Sequence, residues 1–187
     1  ACQGLIFSPP ADYSGPAKID VDLVDGVRNN EPVHHAVAVV NVDVLPINDP
    51  PNLEVLTNLN TPEDTPLVVS GPATSTSPAV VGITVTDPDS PTISVVLTST
   101  NGLVKAGPHS GLSVTIEALT PLSIKITGAT TAVATLLRSS ITFTPNAEFN
   151  GDADIKVAVQ DVLNGKDPIE IEKTIAILVT GVNDKPL

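Results

Sequence analysis

The chain has 187 residues with 21 Asp and Glu against 9 Lys and Arg, a formal charge of −12; that field repels nucleic-acid phosphates and anionic membranes and attracts cations. Hydrophobic residues make up 41% of it but aromatics only 2%, with no Trp and no Met, so the core is Val, Ile, Leu and Ala, which suits strands better than helices. Its 18 prolines and 12 glycines are spread along the chain as turn punctuation, and no apolar run reaches the roughly 18 residues a membrane helix needs.

The opening ACQGLIF carries no signal-peptide pattern and reads as the middle of something longer. Cys2, the single cysteine, has no partner within the chain; it either pairs with an upstream cysteine or is a small apolar residue. No Asn-x-Ser/Thr sequon occurs, while FSPP and TSTSP offer sites for O-linked sugar.

An internal repeat organises the chain. Residues 5–25, LIFSPPADYSGPAKIDVDLVD, align with residues 141–161, ITFTPNAEFNGDADIKVAVQD. After a loop one residue shorter in the second copy, AVAVVNVDVLPINDPP aligns with IEKTIAILVTGVNDKP. All the aromatics, Phe7, Tyr13, Phe143 and Phe149, fall inside the matched block, which makes them repeat core and not a platform for sugars or bases. Asp20 and Asp22 alternate with Ile19, Val21 and Leu23 and should face solvent. Residues 1–49 are therefore the C-terminal part of one repeat, and 50–187 a complete second repeat. The first is expected to be ordered only when its opening strands are supplied or in an assembled context.

In the second repeat, NLEVLTNL predicts a first strand, TPEDTPLVVSG a turn-rich crossing, and VVGITVTD a second strand stopping at DPDSP. TISVVLTST, the turn NG, LSVTIEAL, LSIKITG, ITFTP, ADIKVAVQD and KTIAILVTGV continue the alternation. In ATTAVATLLRSS, Val133, Leu136 and Leu137 share a helical face, predicting one or two turns capped by Thr130 or Thr131. About seven short strands with regular turns indicate an all-β, Greek-key β-sandwich.

TPEDTPL, ITVTDPDS, STNGLV, the short helix before ITFTPNAEFNGDADIKVAVQD and the closing GVNDKP together resemble the cadherin-like tandem repeats of large surface proteins, found in bacterial adhesins and in surface and flagellar-hair proteins of algae and other protists. The resemblance covers 50–187 and, through the internal match, 1–49. It implies immunoglobulin-like sandwich repeats and Ca²⁺ between them. Carried over by position, the upstream site would be Asn48 and Asp49 of the linker, Asp87 and Asp89 after the second strand, and Asp161 closing the sixth, with Asp12 of the truncated repeat completing it. Strand alternation by itself brings Asn48, Asp49, Asp87, Asp89 and Asp161 to one end, where several oxygens suit a cation of 6 to 8 ligands. The downstream site would be Glu63, Glu148, Asn183 and Asp184. The linkers lack the leading acid of the fuller family motif, and the Asp-Arg-Glu motif of the fifth-to-sixth loop is missing.

DPDS is also good turn chemistry, and ND before Pro also terminates a strand. Enzyme chemistry finds little support. His34, His35 and His109 lie in loops without an evident nucleophile or further metal ligands, no Gly-rich phosphate loop is present, and a sugar cleft without Trp is poor. Two classes remain. One is a structural or adhesive array module of an extracellular, cell-surface protein, giving reach and rigidity in a filament or stalk, with neighbouring repeats or other copies as partners. The other is a recognition module binding carbohydrate or a partner protein through loops such as VKAGPHSGLS (104–113).

Overall fold

A computed structural model describes residues 4–24, 34–69, 82–161 and 168–183. Two compact units divide the chain, Ala1–Ile47 and Asn48–Leu187. The boundary precedes Asn48 because Asn48 and Asp49 hydrogen-bond to Asp161 and Asp89 of the second unit. Cys2, the TSTSP stretch and Asp184 lie outside the described residues.

The first unit is a hairpin of β1 (Gly15–Val24) and β2 (His35–Val44), paired antiparallel from Gly15 opposite Val44 to Val24 opposite His35. Because side chains alternate across a strand, one face collects Ala17, Ile19, Val21, Leu23, Val40, Val42 and Val44. The other carries Lys18, Asp20 and Asp22. There Lys18 Nζ lies 3.0 Å from Asp20 Oδ2 and His35 Nδ1 3.2 Å from Asp22 Oδ1, all four side chains exposed. Both aspartates face solvent, as their alternation predicts.

The second unit begins with β3 (Asn52–Val55), β4 (Leu59–Pro62), β5 (Leu67–Val68), β6 (Ile83–Thr86) and β7 (Thr92–Ser99). Then follow β8 (Gly102–Ala106), β9 (Val114–Thr120), β10 (Ser123–Ala129), α1 (Thr130–Ser139), β11 (Ile141–Pro145), β12 (Gly151–Asp161) and β13 (Glu170–Thr180). One sheet runs β4-β13-β12-β7-β10-β9, beside sheets β5-β11-β8 and β3-β6. The pairs are antiparallel except β13 with β4. The crossovers among non-consecutive neighbours make this the Greek-key sandwich that the strand count predicts. Leu53, Ile83, Val85, Ile93, Val95, Leu97, Ile126, Phe143, Ile155, Val157, Ile175 and Ile177 form its dry core, and Val133, Leu136 and Leu137 of α1 join it.

Three local expectations are corrected. NLEVLTNL is two strands: the chain leaves β6 after Leu56 N donates to Gly82 O, passes Asn58 at φ 64°, and joins the other sheet at Leu59. The stretch after the NG turn is also a strand, β8, whose five residues are too short for alternation to stand out. Helix α1 spans ten residues from an Ala129 N-cap with no side-chain cap; Thr130 Oγ1 instead donates to Ser90 O at 2.6 Å.

The two hairpins are copies in geometry as well as in sequence. Asp12 (φ 58°) and Gly15 (φ 121°) match Glu148 (φ 56°) and Gly151 (φ 129°). Tyr13 N donates to Pro10 O as Phe149 N donates to Asn146 O. Gly15 opposite Val44 and Val24 opposite His35 repeat as Gly151 opposite Val179 and Gln160 opposite Glu170. A non-Gly residue at positive φ is uncommon, so its recurrence at one repeat position marks a shared turn. No helix among the described residues is long and apolar enough to cross a membrane.

Candidate metal centre

Three local decisions bring the upstream group together. β3 and β6 pair with Asn52 opposite Thr86, so the residues before β3 and those after β6 share one end. β12 lies along β7 with Asp161 opposite Ile93, which brings the end of β12 to the start of β7. The connection from β6 to β7 is Asp87-Pro88-Asp89-Ser90-Pro91, folded by its own first residue: Asp87 Oδ1 accepts from Asp89 N (3.1 Å) and Ser90 N (2.6 Å). That is the Asp-initiated turn expected of such a sequence.

The second carboxylate reaches outward, and Asp89 Oδ2 accepts from Asp49 N at 3.1 Å. Asp161, fully buried, accepts from Ile169 N through Oδ1 (2.8 Å) and from Asn48 Nδ2 through Oδ2 (2.7 Å). Asn48, Asp49, Asp87, Asp89 and Asp161, up to 113 positions apart in the chain, are thus one hydrogen-bonded group. Turn and cluster are realised by the same residues.

Charge in this group is unbalanced. No Lys, Arg or His among the described residues forms an ion pair with Asp87, Asp89 or Asp161. Asp87 Oδ2, Asp89 Oδ1 and Ser90 Oγ are buried and accept from no donor among the described residues. A buried oxygen without a donor costs about 1–3 kcal/mol, more when charged. Burial pushes the Asp87 carboxyl above its ordinary range; the N–H groups of Ser90 and Asp89 oppose this, and the Asp89 carboxylate adds to it.

Among the described residues no group of three or more His, Cys, Asp or Glu side chains makes a metal cage on its own. The donor-free oxygens here belong to two carboxylates and one hydroxyl, and oxygen donors of this kind suit Ca²⁺ better than Zn²⁺. Ser90 carries no signal of its own in the sequence beyond its place in DPDS.

Asp12 sits exposed in the turn before β1 of the first unit. At the other end of the second unit, buried Glu63 accepts from Val182 N through Oε1 at 2.5 Å while its own N donates to Thr180 O. Asp64, at φ 56°, accepts from Glu148 N at 3.3 Å, so the two loops meet there. Sequence reading missed Asp64, whose only signal is its place beside Glu63. Asn183 follows exposed. His34, His35 and His109 are exposed, and His109 Nδ1 donates to Gly107 O.

No family model matches the chain, and no curated protein matches it. Among solved structures, extracellular cadherin domains 1–5 of protocadherin gamma B2 align with 91% of this chain at 18% identity and a TM-score of 0.41, the match covering 26% of that chain. Human mucin-like protocadherin EC1-2 aligns with 88% of this chain and 69% of its own at 13% identity and a TM-score of 0.38. The collagen-binding subdomain of the Enterococcus faecalis surface protein ACE aligns with 46% of this chain and 75% of its own at 11% identity and a TM-score of 0.33.

Proposed function

We propose that this chain is a structural and adhesive module of a long extracellular repeat protein, and that Ca²⁺ binds at the end of the second unit formed by Asn48, Asp49, Asp87, Asp89 and Asp161. The observation that carries it is the pair of buried carboxylate oxygens, Asp87 Oδ2 and Asp89 Oδ1, which have neither a donor nor a cationic partner among the described residues. Like charges held together are costly unless a cation offsets them.

Asp87 and Asp89 would be the primary anionic ligands and Ser90 a neutral one. Asp49 and Asn48 already hold the linker against this group through Asp89 and Asp161. A bound Ca²⁺ supplies positive charge at that point. The residues do the positioning: the Asp87 turn fixes the two carboxylates, and buried Asp161 anchors both Asn48 and the strand entering at Ile169. Stiffening the linker against the sandwich is what an array needs to hold reach. Glu63, Glu148, Asn183 and Asp184 are proposed as the corresponding half-site toward a following repeat.

The test is equilibrium binding of Ca²⁺ to the chelator-treated protein by calorimetry, with Mg²⁺ as the control. Saturable Ca²⁺ binding that Asp87→Asn/Asp89→Asn removes supports the reading; no heat above dilution at millimolar Ca²⁺ refutes it, since extracellular modules of this affinity class saturate there. Non-enzymatic function and an extracellular location belong to the same proposal.

A further inference from the structure

The internal repeat shows what the first unit lacks. Ile19, Val21, Leu23, Val40, Val42 and Val44 occupy the positions of Ile155, Val157, Val159, Ile175, Ile177 and Val179, every one of which is buried in the sandwich core. In the first unit Leu23 is 68% and Val40 48% exposed, and Leu5 and Phe7, which match buried Ile141 and Phe143, are exposed too. Among the described residues β1 and β2 form a two-stranded sheet, whereas β12 pairs on its other side with β7, and β13 with β4. An isolated hairpin of this kind is marginal in water.

We infer that the β1–β2 hairpin is the acceptor half of a second sandwich, completed by opening strands of the repeat type that β3–β10 of the second unit exemplify. Register follows from the copy. A strand with the chemistry of TISVVLTS would lie antiparallel on the free edge of β1, its Leu97 equivalent opposite Val21 and its Val95 equivalent opposite Leu23, as Leu97 and Val95 lie opposite Val157 and Val159. A β4-like strand would lie parallel on β2, its Leu59 equivalent opposite Val42. A second copy of this chain is the poorer source. Its own opening strands carry Leu53, Ile83, Val85, Ile93, Val95 and Leu97, all committed to its core, and lending them would expose that core.

The opposite face of the hairpin supports the assignment of sides. Val37 is 72% exposed there, and its counterpart in the complete repeat is Glu172, paired with Lys156 at 2.6 Å across the solvent face. That position tolerates charge, and the face of Val21 does not.

Hydrogen exchange tests this on two proteins: the 187-residue chain, and the same chain with residues 48–140 joined directly to Leu5, the point where Ile141 aligns. In the chain alone, β1 and β2 amides should exchange at least about 100-fold faster than those of β12 and β13. In the fusion they should slow toward the β12 and β13 rates. Val21→Asp should abolish that gain and Val37→Glu should leave it intact. Either of two results overturns the inference: β1 and β2 amides protected in the chain alone, whether it is monomeric or dimeric by sedimentation at micromolar concentration, or the same fast exchange in the fusion.

Discussion

Removing the Asp161 side chain tests the joint between linker and sandwich without any metal. The carboxylate is fully buried and accepts two hydrogen bonds, from Ile169 N at 2.8 Å and Asn48 Nδ2 at 2.7 Å. Asp161→Ala removes the acceptor from both donors, and a fully buried donor left without a partner costs about 1–3 kcal/mol. Asn48 lies in the linker, where it can turn toward water. The Ile169 N bond is part-buried, so the expected loss is about 1–2 kcal/mol. For a unit of this size that lowers Tm by roughly 3–8 °C. Asp161→Asn keeps an acceptor for Ile169 N but sets an amide against the Asn48 amide, a conflict relieved by flipping one of them; it should cost about 1 kcal/mol. The assay is urea unfolding in chelator by far-UV circular dichroism, because the chain has no Trp and its single Tyr, Tyr13, reports the first unit only. A loss below about 0.5 kcal/mol for Asp161→Ala would refute the claim that Asp161 anchors the linker.

Asp87 sets a pH dependence whose sign is fixed by its raised pKa. A raised carboxyl contributes stability that is full below its unfolded value near 3.8 and is lost as pH rises through the folded value. In chelator, Asp87→Asn should therefore match wild type at pH 3 and equal or exceed it at pH 7, as melts across pH would show; in Ca²⁺ the order should reverse. Gly102→Ala would place a Cβ 2.5 Å from Phe143 Cε2 and 2.6 Å from Thr144 O. Main chain cannot yield there, so urea midpoints should report a loss of about 1–3 kcal/mol. Glu63→Ala removes the acceptor of the half-exposed Val182 N and should cost about 0.5–1.5 kcal/mol in the same assay, even in chelator.

Much of the architecture was legible because it rests on two periodicities. Alternation of Val and Ile with polar residues fixes which face of β12 and β13 is buried, and the matched block LIFSPPADYSG with ITFTPNAEFNG carries a turn whose positive φ values recur at Asp12 and Glu148. The convergence of Asn48, Asp49, Asp87, Asp89 and Asp161 on one end follows from strand direction, whereas the pairing of Asn48 with Asp161 and of Asp49 with Asp89 is seen only in the fold. What escaped was set by tertiary contact. The split between β3 and β4 depends on Asn58 adopting φ 64° as the chain changes sheets, which no alternation reveals. The start of α1 is decided by Thr130 bonding Ser90 across the fold instead of capping its own helix. Ser90 and Asp64 matter only through where their neighbours point, and single positions in a turn carry no period.

The most direct measurement is thermal unfolding of the protein in millimolar Ca²⁺, in chelator, and in both conditions for Asp87→Ala/Asp89→Ala. The account predicts a Ca²⁺-dependent rise of the second unit's transition, growing with ion concentration as ligand binding to the folded state requires, and its disappearance in the double variant. Identical transitions in Ca²⁺ and chelator for the wild-type chain would contradict it and leave the Asn48 to Asp161 group a metal-free joint held by hydrogen bonds.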